Sequence, residues 1–120
     1  QYEVNKLSAE LGNADVELVR KELGTEFDMI VHEPDGILEI GQAGHSKASG
    51  IERLCASLGI AKEDTYAFGD SANDVEMLEF VAHGIAMGNG TDVAKNAAEF
   101  VTTDIHKDGI WNGLKHYGLI

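Results

Sequence analysis

Two acids stand four residues apart in Gly69-Asp70-Ser71-Ala72-Asn73-Asp74, and an asparagine immediately precedes the second. The apolar residues 65–68 before them read as a short buried strand, and a helix is expected over about 73–82. In open α/β sheets, ligands bind beyond the carboxyl ends of the strands. Asp70 occupies such an end, after a glycine that permits a tight turn. Asp74 falls at the start of the next helix, where its carboxylate can cap backbone amides or face back toward the strand tip. Two carboxylates converging with the Asn73 amide are hard oxygen donors of the kind that suit magnesium. Singly, Asp74 reads as an N-cap and Asp70 as a turn residue. The combination is far more specific, because a turn has no structural need for so much charge.

Lys47, in Ala43-Gly44-His45-Ser46-Lys47, is the second candidate. It opens a helix, the end at which a lysine opposes the helix dipole. A solvated surface role is the ordinary expectation for a lysine. Its place just before the first βα unit argues otherwise, since an ammonium there offsets charge on a phosphate and on nearby carboxylates. If the substrate is a phosphate, composition requires that positive charge be supplied locally, by a metal or a placed lysine. Acidic residues outnumber basic ones 21 to 9, for a formal charge of -12. That excess repels nucleic acid and anionic membrane, and its scatter along the chain marks a solvated surface rather than an acidic tail.

The elements that must hold these residues fall into two textures. Residues 1–42 read as strand, helix, strand, strand: extended over 4–11, helical from an Asn13 cap through Lys21, then a hairpin with strands 27–31 and 37–40. Glu33-Pro34-Asp35-Gly36 has the chemistry of its turn. This is an α+β unit with an antiparallel sheet. Residues 43–120 alternate helix and strand, with helices over 47–58, 73–82, from a Thr91 cap, and near the end. Short apolar strands at 65–68, 84–87 and 100–102 lie between them. The pattern predicts a parallel sheet with helices on both faces. Cys55 is expected to be buried on the apolar face of its helix, and Trp111 and Tyr117 are expected in the core.

Other candidates carry less. The five histidines (His32, His45, His83, His106 and His116) show no metal-ligand spacing, so surface or packing roles are expected for each. The glycine-rich 84–90 stretch lacks the lysine and Ser/Thr of a P-loop and reads as turn geometry, with a place at the border of the site as the alternative. The Ser71 hydroxyl either lines the pocket or serves the turn. One cysteine excludes an internal disulfide and fits a reducing compartment. No apolar run approaches a membrane span, so a cytoplasmic location is expected. A start at Gln1 rather than methionine reads as part of a longer polypeptide.

Lys47 and the Gly69–Asp74 run, in this order, resemble the third and fourth motifs of haloacid dehalogenase (HAD) superfamily phosphatases. Val75-Glu76-Met77-Leu78, Gly84-Ile85-Ala86-Met87-Gly88-Asn89 and Asp92-Val93-Ala94-Lys95 are similar to the Cof-type subgroup, which inserts a large α/β cap between the second and third motifs. The resemblance is specific over roughly 37–120 and looser before that. It implies the C-terminal half of a HAD-like Rossmannoid parallel-sheet core (43–120), preceded by the end of an α+β cap (1–42). It also implies a magnesium-dependent phosphatase acting on small phosphate monoesters, such as sugar phosphates, through an aspartyl-phosphate. Asp70 would bind the metal directly, and Asp74 would act through a metal-bound water or hold the lysine. Lys47 would bridge nucleophile and phosphoryl group, and Asn73 would contact the phosphate or the metal shell. One departure is large: the family nucleophile lies in an Asp-x-Asp motif, and no Asp-x-Asp occurs here. The strand at 65–68 is then expected to be an open hydrophobic edge able to recruit a second copy. The alternative reading is an inactive, truncated binding or assembly module.

Overall fold

The computed structural model describes residues 6–12, 15–32 and 36–120. The expected Asn13 cap, the start of the first strand, and residues 33–35 of the expected turn lie outside them. The chain divides into two compact units, Gln1–His45 and Ser46–Ile120.

In the first unit, β1 (Lys6–Glu10), β2 (Phe27–His32) and β3 (Ile37–Gln42) form an antiparallel sheet in the order β1-β3-β2. Helix α1 (Val16–Leu23) is capped by Asp15, whose carboxylate accepts from the amides of Glu17 and Leu18. Met29 and Leu38 are the buried apolar residues of this unit among those described. Alternation of side chains across the pleat puts Lys6, His32 and Glu39 on one face, where Lys6 pairs with Glu39 at 2.6 Å.

The second unit holds a parallel sheet of β4 (Tyr66–Gly69), β5 (His83–Ala86) and β6 (Phe100–Val101), in that order. All three expected strands are present within a residue or two of their places. Around them run α2 (Lys47–Leu58), α3 (Val75–Phe80), α4 (Asp92–Ala97) and α5 (Gly109–His116). Ala67, Leu78, Val81, Ile85, Ala86, Met87 and Ala94 make the core, and Ile85 on the central strand is fully enclosed. At the strands' amino ends, Glu99 accepts from His83 Nδ1 at 2.9 Å and from the Tyr117 hydroxyl at 3.0 Å. His83 stacks on Tyr66 and His116 on Phe100, so these two histidines do have packing roles.

Three burial expectations are corrected. Trp111 is 59% exposed, and the half-buried Tyr117 lies at the rim of the core. Cys55 is likewise only half-buried, on a helix α2 that buries no residue fully and leaves Leu54 and Leu58 open. For α5 the cause is local. Its buried positions are Gly109 and Gly113, which carry no apolar signal but let the helix backbone come close to the sheet. A Cβ on Gly113 would lie 2.5 Å from Phe68 Cε1 and 3.4 Å from Ile85 Cγ2. The apolar periodicity of Ile110, Trp111 and Leu114 therefore pointed away from the face that packs.

Gly113→Ala tests this arrangement. Alanine gains about 1 kcal/mol in helix propensity, but overpacking against the Phe68 ring costs about 1–3 kcal/mol. The urea midpoint is expected to fall. A raised midpoint would mean that α5 can slide to accept the methyl group.

Candidate active site at the strand tips

The turn after β4 brings the sequence candidates together. Asp74 is 5% exposed, although it ends a single 3-10 turn (Ala72–Asp74) at the entrance to α3. Its Oδ2 accepts from the backbone amides of Asp70 at 2.9 Å and Ser71 at 3.3 Å. Its Oδ1 accepts from Lys47 Nζ at 2.5 Å. The side chain therefore faces back to the strand tip. Gly69 is required for this, through space rather than backbone conformation: a Cβ there would stand 2.6 Å from Asp74 Cβ. Burial alone would raise the Asp74 pKa. The hydrogen bond from Lys47 and the two amides outweigh it and hold the carboxyl below its ordinary value of 3.8.

Helix α2 delivers the lysine. Ser46 caps it, its hydroxyl accepting from the Ser49 amide at 3.2 Å while the Ser49 hydroxyl accepts from the Ser46 amide at 3.0 Å. This reciprocal cap fixes the first turn, and Lys47 is the first residue within it. The Ser-x-x-Ser signal was present in the sequence but is less conspicuous than the usual Ser-x-x-Glu. The Lys47 side chain remains 49% exposed. An ammonium has three donors, and the pairing with Asp74 uses one.

Asp70 is exposed, and the hydrogen bonds it makes among the described residues run through its backbone. Its carbonyl accepts from the Thr91 amide at 2.8 Å and the Thr91 hydroxyl at 3.3 Å. Thr91 was expected to cap α4 with its side chain; it stands at that N-cap, but its hydroxyl serves Asp70 instead. The 84–90 stretch does border the site: a Cβ on Gly90 would lie 2.9 Å from the Asp70 carbonyl oxygen. Asn73 is half-buried, and its Oδ1 accepts from the Ser71 hydroxyl at 2.5 Å.

Magnesium, the ion implied by the resemblance, takes oxygen donors and keeps several waters, typically with one or two carboxylates. The donor set at these strand tips fits through Asp70, whose carboxylate is open. Both Asp74 oxygens are already engaged. No group of three or more His, Cys, Asp or Glu able to hold a metal occurs among the described residues. Further ligands would have to be water or groups from outside this set.

The strand tips of this parallel sheet thus carry an open acid and a half-exposed lysine held by a buried aspartate. The chain belongs to the haloacid dehalogenase-like hydrolase family, whose model matches residues 1–114. Its fold is similar to that of the HAD subclass IIB sugar phosphatase BT4131, with a TM-score of 0.89 at 31% identity, covering 99% of this chain and 45% of that one. In sequence it is 42% identical over 84 residues to the 5-amino-6-(5-phospho-D-ribitylamino)uracil phosphatase YitU of Bacillus subtilis, covering 70% of this chain and 31% of that protein. An uncharacterized protein in the pdhA 5′ region of Geobacillus stearothermophilus is 54% identical over 78 residues, which are 65% of this chain and 82% of that protein. The chain thus spans less than half the length of the two phosphatases.

Proposed function

We propose that this chain is the C-terminal part of a magnesium-dependent phosphatase for small phosphate monoesters, with residues 1–42 closing a cap and 43–120 forming half of the core. The observation that carries the reading is the Lys47–Asp74 pair at the tip of β4. A buried carboxylate holds the ammonium in place and leaves two of its donors for phosphoryl oxygens. Lys47 then acts as the catalytic cation, stabilising charge on the transferring group where a net charge of -12 would otherwise oppose it. Asn73 donates to the same phosphate. Asp70 holds magnesium, which supplies further positive charge against the phosphoryl oxygens. Asp74 serves as anchor, the second of the two roles that the resemblance leaves open. The attacking aspartate is supplied by an upstream Asp-x-Asp segment. Sugar phosphates are the substrate class of the BT4131 relative, and they are the first compounds to assay.

The test compares the 120-residue chain with the longer polypeptide of which it is proposed to be part. The chain alone is expected to leave a generic phosphate ester intact, and the longer polypeptide to hydrolyse it with magnesium. Brisk magnesium-dependent turnover by the 120 residues alone would remove the upstream nucleophile from the scheme. Within the longer polypeptide, Asp70→Asn is expected to raise the magnesium concentration needed for half-maximal activity by tenfold or more, about 1.4 kcal/mol or greater. An unchanged magnesium requirement would take Asp70 off the ion.

A further inference from the structure

Ser71 is the one polar side chain of the Asp70–Asp74 turn to which the functional reading gives no role. Its hydroxyl lies 2.5 Å from Asn73 Oδ1. A separation that short belongs to O–H···O bonds and falls below the N–H···O range. The hydroxyl therefore donates to the amide's carbonyl end, leaving the two N–H donors of Asn73 to serve another acceptor. The backbone amide of Ser71 is itself held by Asp74 Oδ2 at 3.3 Å. The hydroxyl thus sits on a turn tied to the same carboxylate that anchors Lys47.

We propose that Ser71 is a positioning residue that makes Asn73 a phosphate ligand and keeps it from being a metal ligand. The proposal rests on the reading of the site given above. A carboxamide has two N–H donors at one end and an acceptor oxygen at the other. Phosphoryl oxygens accept hydrogen bonds, so only the NH2 end can bind them; a magnesium ion takes only the carbonyl end. By holding Oδ1, the Ser71 hydroxyl fixes the amide in one of its two orientations, with the donors at the end away from Ser71. Without it the amide is free to rotate and presents either end, and part of its contribution to phosphate binding is lost.

The experiment measures two constants on the longer polypeptide: inhibition by orthophosphate and the magnesium concentration for half-maximal activity. In Ser71→Ala the phosphate inhibition constant is expected to rise about two- to tenfold, the scale of one hydrogen bond, with the magnesium constant unchanged. Ser71→Thr, which restores a hydroxyl, is expected to return the phosphate constant to near the parent value. Asn73→Ala is the control for the underlying reading. If it leaves phosphate inhibition unchanged, Asn73 does not touch phosphate and the proposal falls together with that reading. If Asn73→Ala weakens phosphate binding and Ser71→Ala does not, the positioning role alone is overturned. Equal weakening of magnesium and phosphate in Ser71→Ala would also overturn it, by placing Asn73 on the metal or the effect on the whole turn.

Discussion

Removing the Asp74 carboxylate should cost the longer polypeptide about two to three orders of magnitude in kcat, the scale seen when one preorganised donor to a transition-state charge is lost. The reason is that one side chain holds three groups: the Lys47 ammonium and the amides of Asp70 and Ser71. Two substitutions separate these duties. Asp74→Asn keeps an oxygen for the two amides but turns an NH2 toward the ammonium, so the turn survives and the lysine is released. Asp74→Ala releases all three and is expected to lose about 1–3 kcal/mol of stability as well, because two part-buried amides are left without their partner. In Lys47→Met the kcat loss should match that of Asp74→Asn, and the double variant should lose little more, since groups that act as a unit are not additive. Additive losses would mean that Asp74 has a separate duty, such as holding a metal-bound water. The stability side has a definite pH sense. The folded carboxyl titrates below 3.8, so its contribution is present above that value and lost as the pH falls through the folded pKa. Urea midpoints of the parent and Asp74→Asn should accordingly differ at neutral pH and converge under strong acid.

Much of this site was legible because the relevant constraints are local. A four-residue apolar run, a glycine and two acids at i and i+4 specify a strand tip and a helix entrance, and Asp74 lies only four residues from the amide it accepts from. The partner of Asp74 was harder to read. Lys47 is 27 residues upstream, and its spacing alone does not reveal which carboxylate it meets. Where the sequence misled, it did so through burial. Ile110, Trp111 and Leu114 repeat at helical spacing, yet α5 meets the sheet through Gly109 and Gly113. Hydrophobic periodicity measures only the apolar side chains, and close backbone approach leaves none to measure. Thr91 is a different case: it stands at the N-cap of α4, as its position reads, and only the tertiary contact of its hydroxyl with the Asp70 carbonyl was out of reach.

The apolar residues left open predict how the 120-residue polypeptide behaves by itself. Strand β4 pairs with β5 along one side, and the other side has no partner strand among the described residues. Leu54 and Leu58 on α2 are 57% and 62% exposed, and Trp111 on α5 is 59% exposed. Unpaired edge strands and exposed apolar side chains tend to recruit another chain, because each Å² of apolar area left in water forfeits roughly 25 cal/mol. The polypeptide alone is therefore expected to form dimers or larger species, with a mass by light scattering at or above twice 12.9 kDa. Leu54→Glu with Leu58→Glu distinguishes a specific surface from general unfolding. Both side chains already stand in water, and the like-charge pair four residues apart costs the helix only about 0.2–0.5 kcal/mol, while two carboxylates in place of apolar side chains oppose burial against another chain. The double variant should shift the population toward monomer with its circular dichroism unchanged. In the longer polypeptide the same faces are proposed to be covered by the upstream half of the core, so there the double substitution should destabilise instead. A parent chain that is monomeric at high concentration and unfolds cooperatively would show that the β4 edge is satisfied without a partner, and the half-core assignment would fall with it.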